Sequence, residues 1–329
     1  MFTGMAEGGA RFDPHDGPAD GARRARAALS GTRFGDVRWV AATGSTNADA
    51  LALARDGAPE GIVVVADHQS AGRGRRDRTW VAPPGGSLLL SVLLRPPARV
   101  AGAVTMAAGV AMAEAVEQVA GVVAGLKWPN DLVVATPDGE RKLAGILAEA
   151  DWPAGSSISG GYRAPAPTER ATVVVGVGLN VAWGRRPGAE DHAGIRPSDA
   201  GAGDADAGDA GAVDPGSVGR TGDLSDVAGI ATALSWLGAP VDRVQLLVAF
   251  LHALDARYRR LVGEGADELV AEWRRRSATL GRRVRIDLGT DDVEGTAVDV
   301  TAEGHLVVDA LDGGRRTLAV GDVVHLRPA

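Results

Sequence analysis

The sequence predicts an α+β fold: a mixed, mainly antiparallel sheet with helices packed on it, followed by a small second β-domain. Apolar strand-like runs succeed one another after a single early helix pattern, which favours such a sheet. Roughly the last 50 residues change to short alternating runs separated by glycine turns, which is typical of a small β-barrel. With 45% hydrophobic residues among 329, the chain can fill the core of one large and one smaller domain.

The first unit of the large domain is a strand, a turn and a helix. The strand is predicted at 37–41 and the turn at Gly44. The helix begins near Asn47, with Ser45 or Thr46 as its N-cap. Further helices are predicted from 101 to about 119 and, with a break at 263–265, between 241 and 277. Further strand-like runs lie at 61–69, 87–95, 125–135, 141–150, 171–181, 282–289, 293–310 and 315–327.

Composition divides the chain into three parts. Residues 1–36 are rich in Gly, Ala, Asp and Arg, so we expect a flexible leader with a short helix around "GARRARAAL". The large domain occupies 37–276, with an enlarged mobile loop at 155–170. Its segment 184–223 is nearly free of large apolar residues, so we expect a disordered insertion. The small β-domain occupies 277–329.

Charge and composition exclude several classes of protein. The net charge of -7 and the pI near 5.4 argue against a surface that docks as a whole on nucleic acid. The absence of cysteine removes disulfides, thiolate metal sites and thiol nucleophiles. No apolar run is long enough to span a bilayer, and the N-terminus lacks the apolar core of a signal peptide. We therefore expect a soluble, cytoplasmic protein.

The most unusual stretch is "HQSAGRGRRDRTW", residues 68–80, whose residues 72–80 we call the arginine loop. It holds Arg73, Arg75, Arg76 and Arg78 and two glycines after a buried strand. Glycines let the backbone approach a ligand, and guanidinium groups bind phosphate oxygens with two hydrogen bonds. The spacing is not that of a P-loop. A solvated charged turn and a nucleic-acid patch are the alternatives, although an acidic chain with 4% aromatics makes the second less favourable.

A second polar motif, "KWPND", occupies residues 127–131. A lysine beside a Trp-Pro turn is commonly a solvated charge. Here a cation, a rigid turn, an amide and a carboxylate stand together, so Lys127 could stabilise a carboxylate or phosphate. Asp131 could orient that lysine or help hold Mg2+.

Two further motifs have the same ambiguity. "GVGLN", ending at Asn180, is either a tight turn or a pocket wall where Gly176 and Gly178 let a flat ligand lie against the backbone. "GSTN" is most simply a helix N-cap, yet the hydroxyls of Ser45 and Thr46 and the helix N-terminus could also bind a polar ligand head.

Taken together, "GSTN", "HQSAGRGRRDRTW", "KWPNDL", "RKLAGILAE" and "VVVGVGLNV", in this order, resemble the catalytic domain of biotin protein ligases. The β-rich tail with "GDVVHLR" resembles their SH3-like C-terminal domain. The resemblance covers about residues 37–329 apart from the two loops. It implies the fold shared with class II aminoacyl-tRNA synthetases. It also implies an enzyme that adenylates biotin with ATP and Mg2+ and then transfers biotin to one lysine of a biotin carboxyl carrier domain. No tightly bound prosthetic group is expected.

The resemblance also implies roles for individual residues. Lys127 matches the lysine that contacts the biotin carboxylate and the reacting phosphate, and Arg73 is the second expected catalytic residue. Asp131 is the expected Mg2+ ligand, and Asp77 stands where glycine is commoner. The residues expected against biotin are Ser45, Thr46, Asn47, Gln69, Arg73, Gly74, Arg75, Lys127, Gly176 and Gly178. Those expected against the nucleotide are Arg75, Arg76, Arg78, Trp80, Asn130 and Asn180.

Three rival functions remain open from the residues alone. A lipoate or octanoate ligase shares the chemistry, but the arginine loop and "KWPND" favour biotin. A bifunctional ligase and repressor would need a winged helix-turn-helix of roughly 60 residues before "GSTN". Only about 40 residues precede that motif here, so we expect no DNA binding. An RNA site on the arginine loop would show strong salt dependence. We expect a monomer or weak homodimer without membrane attachment, and an arginine loop that is mobile at residues 72–79 before ligand binds.

Overall fold

The computed structural model describes residues 17–76, 78–151, 157–158, 161–162, 166–184, 227, 229–289, 291–319 and 321–325. Its helices are α1 (Pro18–Ala28), α2 (Thr46–Arg55), α3 (Ala98–Ala101), α4 (Val104–Ala120), α5 (Arg243–Glu264) and α6 (Asp267–Arg276), with a 3-10 turn at Leu234–Leu237. Its first nine strands are β1 (Val37–Thr43), β2 (Val63–Gln69), β3 (Ser87–Leu94), β4 (Gly125–Lys127), β5 (Asp131–Thr136), β6 (Gly139–Asp151), β7 (Ser157–Ile158), β8 (Gly161–Tyr162) and β9 (Thr172–Asn180). The remaining five are β10 (Arg283–Asp287), β11 (Asp292–Val300), β12 (Leu306–Ala310), β13 (Arg315–Leu318) and β14 (Asp322–His325).

Seven strands form one large sheet in the order β1-β2-β3-β9-β6-β5-β4. Only the β1 and β2 pair is parallel, and every other neighbouring pair is antiparallel. The mixed, mainly antiparallel sheet predicted from the sequence is therefore confirmed. Strands β7 and β8 form a separate two-stranded ribbon.

Strand β3 shows why helices cover both faces of this sheet. All eight residues of Ser87–Leu94 are buried, which is typical of a central strand covered on both sides. Leu88, Leu90, Val92 and Leu94 belong to the main core beneath α4 and α5, whereas Leu93 belongs to a smaller core beneath α2. Because side chains alternate along a strand, the face that carries Leu93 also carries Ser91.

The second half of the leader is packed onto the large domain. The short helix expected there is present as α1, but Ala25, Leu29 and Phe34 are fully buried in the main core. Arg26 Nε also donates to Val37 O at 2.7 Å. The expectation of a flexible leader is therefore wrong for residues 17–36. The reason is that a few small or apolar side chains suffice when a preformed sheet and α5 supply the opposing surface.

The small C-terminal domain is an antiparallel sheet in the order β13-β12-β11-β10-β14. Its core is formed by Val284, Ile286, Ala297, Leu306 and Val308, each fully buried. The predicted second β-domain is thus confirmed. The expected insertion at 184–223 lies almost entirely outside the described residues, as does much of the expected loop at 155–170.

Candidate active site

A cavity of about 240 Å3 opens on the sheet face that carries α2. On β9, Val174, Gly176, Gly178 and Asn180 share this face because side chains alternate. Val174 packs in the small core beneath α2, but the next two positions toward the strand end carry no side chain. Gly145 on β6 pairs with Gly178 and widens the gap. The cavity exists because glycines replace apolar side chains where the helix no longer covers the sheet.

The inner end of the cavity is a network of polar groups around the N-terminus of α2. Ser45 occupies the N-cap position, but its side chain makes no capping hydrogen bond. Gln69 Oε1 instead accepts from Thr46 N at 2.7 Å and lies 3.1 Å from Thr46 Oγ1. Ser91 Oγ lies 2.7 Å from Thr46 Oγ1 and 2.6 Å from Asn47 Oδ1. These side chains hold one another in place before any ligand arrives, and we call these five residues the inner end.

Asn47 is fixed from three sides. Its Nδ2 donates to Glu149 Oε2 at 2.7 Å and to Leu147 O at 3.3 Å. Its Oδ1 presses against Gly176, where a Cβ atom would overlap the amide oxygen. Gly176 is therefore required by a protein side chain, and not only by the flat ligand that the sequence suggested.

Trp80 lies across the glycine gap. A Cβ on Gly178 would lie 2.5 Å from Trp80 Cε2, and one on Gly145 would lie 2.9 Å from Cζ3, both closer than real Cβ contacts. The indole ring thus forms a wall of the cavity against bare backbone. Its Nε1 is buried and has no hydrogen-bond partner among the described residues. A group that lines a cavity with an unpaired donor is suited to a ligand with an acceptor.

Two lysines line the cavity. Lys127 ends β4 in register with Asp131, on the hairpin that contains the cis Trp128–Pro129 peptide. Lys142 Nζ lies 2.7 Å from Asp131 Oδ1 and 5.5 Å from the centroid of the Trp80 ring. The sequence reasoning assigned the lysine of "KWPND" and passed over Lys142 in "RKLAGILAE", although a second cation in a quoted motif was the available signal.

Two asparagines have different roles. Asn130 Nδ2 donates to Ile146 O at 2.7 Å, and Ile146 N donates back to Asn130 O at 2.9 Å, so this residue fastens the hairpin to β6. Asn180 Nδ2 donates to Thr232 O at 3.0 Å, but its buried Oδ1 has no hydrogen-bond partner within the part of the chain that the structure describes. Asn180 therefore retains an acceptor for a ligand N–H.

The arginine loop is a short hairpin. Trp80 N donates to Gly72 O at 2.9 Å, Gly74 N donates to Arg78 O at 2.6 Å, and Arg76 has a φ of 52° at the tip. Asp77 lies outside the described residues. A non-glycine residue in this left-handed region is uncommon and marks a tight turn.

The arginine side chains reach from this hairpin to the small domain. Asp322, the first residue of β14, pairs with Arg78, lies 3.4 Å from Arg76 Nη1 and lies 3.7 Å from Arg75 Nη1. Burial lowers the pKa of Arg75 more than the charge of Asp322 raises it. Arg73 instead donates to Glu149 Oε2 on β6 at 2.9 Å. We call the arginine loop together with Asp322 the outer end of the cavity.

The structure brings most of the predicted site together. Of the 16 predicted residues only Arg76 does not line the cavity, and it lies in an adjoining groove with Arg73 and Glu149. Sequence reasoning missed Ser91, Lys142, Glu149, Trp183 and Asp322. Trp183 lines the cavity before the insertion and packs edge-on against Trp236, with ring centroids 5.2 Å apart.

Within the part of the chain that the structure describes, no group of three or more acidic or histidine side chains is arranged to hold a metal ion. Asp131 offers one carboxylate beside Lys142. A single carboxylate suits Mg2+ when phosphate oxygens supply further ligands. No helix among the described residues is both long and apolar enough to cross a bilayer.

The sequence places the chain in the class of biotin and lipoate protein ligases. Residues 40–152 match the biotin/lipoate A/B protein ligase family, and residues 279–326 match the biotin protein ligase C-terminal domain. A biotin–[acetyl-CoA-carboxylase] ligase of Mycobacterium tuberculosis is 38% identical over 91% of both chains. The chain therefore belongs to the biotin protein ligase family and is a biotin–[acetyl-CoA-carboxylase] ligase homologue.

Other relatives fit this assignment. The bifunctional ligase/repressor BirA of Bacillus subtilis is 28% identical over 82% of this chain and 68% of its own length. The biotin protein ligase of Aquifex aeolicus, solved with biotin and ATP, superposes with a TM-score of 0.61 and 21% identity, covering 90% of this chain and 100% of its own. That structural likeness supports the fold.

Proposed function

We propose that the chain joins biotin to ATP as biotinyl-5'-AMP and then transfers biotin to one lysine of a biotin carboxyl carrier domain. The observation that carries the proposal is the composition of one cavity. Among the described residues it combines two lysines and three arginines with two buried polar atoms, Trp80 Nε1 and Asn180 Oδ1, that have no hydrogen-bond partner there. Such a lining suits an uncharged polar head, a carboxylate and a nucleotide held side by side.

In the first step a carboxylate oxygen of biotin attacks the α-phosphorus of ATP, and pyrophosphate leaves. Both reactants are anions, so the barrier falls when cations hold them together without a protein nucleophile. Lys127 and Lys142 are the candidate cations from the sheet, and Arg73, Arg75 and Arg78 are those from the arginine loop. The Lys142 ammonium lies beside Asp131 and over Trp80, and in this proposal it would contact the reacting groups.

In the second step the amine of the carrier lysine attacks the acyl carbon of the adenylate, and AMP leaves. The amine loses a proton as the amide forms. The chain needs to keep the adenylate intact until the carrier arrives, which a closing loop does by excluding water. Mg2+ would be held by Asp131 together with ATP phosphates and would neutralise phosphate charge.

Biotin would occupy the inner end in this proposal. Its uncharged ring has N–H donors and a carbonyl acceptor, which match the hydroxyls, amides and helix N-terminus around Ser45, Thr46, Asn47 and Gln69. The nucleotide would lie toward Asn180, Trp183 and the arginine loop. This order places the biotin carboxylate near the lysines, between the two ends.

The test is direct. Purified protein with biotin, ATP and Mg2+ should form biotinyl-5'-AMP, detected by mass spectrometry, and release pyrophosphate only when biotin is present. Addition of a carrier domain should move biotin onto one carrier lysine, and excess lipoate should compete weakly. Pyrophosphate release with lipoate but not with biotin would refute the proposal.

A further inference from the structure

Glu149 occupies a position between the two ends of the cavity. It lies on β6 with Gly145 and Leu147 on the face of the sheet that bears the cavity. One oxygen, Oε2, accepts from Asn47 Nδ2 at 2.7 Å and from Arg73 Nη2 at 2.9 Å. A single carboxylate oxygen thus joins a residue of the inner end to a residue of the outer end.

The charge of Glu149 fixes which way the Asn47 amide points. An ionised carboxylate only accepts hydrogen bonds, so it selects the NH2 side of the amide. Leu147 O, at 3.3 Å from Nδ2, also accepts only. Asn47 Oδ1 is then directed to Ser91 Oγ at 2.6 Å. A neutral side chain at position 149 could accept or donate and would no longer determine this orientation.

The same charge holds Arg73 on a different support from the rest of its loop. Arg75, Arg76 and Arg78 all turn toward Asp322 in the small domain, whereas Arg73 turns toward the sheet. The Arg73 side chain is 47% exposed and that of Glu149 is 26% exposed, so the pair is accessible to ligand and solvent. Among the described residues, Glu149 is therefore the acidic side chain that connects the arginine loop to the inner end.

We propose that Glu149 is a positioning residue that couples occupation of the Asn47 subsite to closure of the arginine loop. A ligand that immobilises Asn47 also immobilises Glu149, which gives Arg73 a fixed partner. Conversely, an ordered Arg73 keeps the Asn47 amide in its binding orientation. By reciprocity the two effects are equal in free energy. The inference rests on the proposed function, because the ligand of this site is taken to be biotin and its adenylate.

The experiment measures the rate at which biotinyl-5'-AMP leaves the intact protein, for wild type, Glu149→Gln, Arg73→Gln and the double variant. Coupling predicts that each single variant releases adenylate about 5- to 20-fold faster, a typical size for such a coupling. The double variant should be no faster than the faster single variant. Biotin affinity should weaken in both single variants, and the double variant should bind biotin no more weakly than the weaker single variant, because Arg73 supports Asn47 through Glu149.

Glu114→Gln is the matched control. Glu114 is an ion-paired glutamate of almost equal exposure, 25%, which bonds Arg257 away from the cavity. Its variant should release adenylate at the wild-type rate. Effects of Glu149→Gln and Arg73→Gln that multiply in the double variant would overturn the proposal, as would a Glu149→Gln rate equal to that of Glu114→Gln. If Glu149→Gln fails to fold, unchanged biotin affinity in Arg73→Gln alone overturns it. A wild-type protein that makes no adenylate would instead refute the proposed function.

Discussion

The two ends of the cavity are built differently although both are polar. At the inner end, Ser45, Thr46, Asn47 and Ser91 are buried, and neutral hydrogen bonds link the network. At the outer end, Arg75, Arg76 and Arg78 are partly exposed and are held by ion pairs to Asp322. Exposed ion pairs contribute only about 0–1 kcal/mol each. The inner end is thus held in one geometry before a ligand binds, whereas the outer end can open at little cost in free energy.

The lysines between the ends provide the largest expected effect. Lys142→Met should lower the rate of adenylate formation about 10²- to 10³-fold, as expected when a preorganised charge is removed from a transition state. Biotin binding measured by calorimetry should change much less. Lys127→Met, measured alongside, decides between Lys127, which the sequence motif suggested as the catalytic lysine, and Lys142, which the proposal puts at the reacting groups. If Lys127→Met is severely impaired and Lys142→Met is near normal, the reacting groups lie closer to the hairpin than proposed.

Gly176→Ala should damage the inner end. The added Cβ overlaps Asn47 Oδ1, so the amide must move in a packed environment. Overpacking of this kind costs about 1–3 kcal/mol. Where this cost falls on biotin binding, the KM for biotin rises about 5- to 150-fold, with a smaller effect on the KM for ATP. Gly184→Ala is the control, because a Cβ there meets no atom of the described residues within 4 Å. An unchanged biotin KM in Gly176→Ala would show that Asn47 is not a biotin contact.

Asp322→Asn should loosen the outer end while leaving the inner end intact. Three arginines share this carboxylate, so its neutralisation weakens several modest contacts at once. We expect adenylate to escape about three- to tenfold faster, and we expect the difference from wild type to shrink at high salt. Biotin affinity should stay within about twofold. A larger loss of biotin affinity than of adenylate retention would contradict the separation of the two ends.

The smallest effect concerns pH and the join between β6 and the small domain. Burial opposes ionisation of Glu140, but the hydrogen bond and charge of His325, with help from Lys127 and Arg282, hold the pKa of Glu140 below its usual value. A lowered folded-state pKa contributes stability above the ordinary pKa of 4.5, and this stability is lost as the pH falls through the lowered value.

Glu140→Gln removes that contribution. Its melting temperature should lie about 1–2 °C below wild type at pH 6, and the gap should shrink as the pH falls below 4.5 and through the lowered pKa of Glu140. Differential scanning calorimetry between pH 3 and pH 7 measures it. A gap that widens toward low pH would show that the His325 contact does not stabilise the ionised form.

Local sequence motifs predicted much of this site, whereas residues that reach it only through long-range packing were missed. "GSTN", "KWPND" and "GVGLN" each stand at an element end, where alternation and capping rules predict a polar pocket wall, and the structure brings all three together. Asp322 could not be inferred, because it lies 244 residues from Arg78 and only the packing of two domains joins them. Ser91 was missed because it stands within the apolar run of β3, where no polar motif marks it. The packing of residues 17–36 was missed because small side chains carry a weak apolar signal.

Trp80 gives the molecule a built-in optical probe. The chain has seven tryptophans. Trp80 lines the cavity, its indole N–H has no partner among the described residues, and a lysine ammonium lies 5.5 Å from its ring centroid. Indole emission depends on the local electric field and on hydrogen bonding, so ligand entry should change the wavelength and the intensity of Trp80 emission. Fluorescence titration of wild type against Trp80→Phe would then follow filling of the cavity in real time, without a label on either reactant.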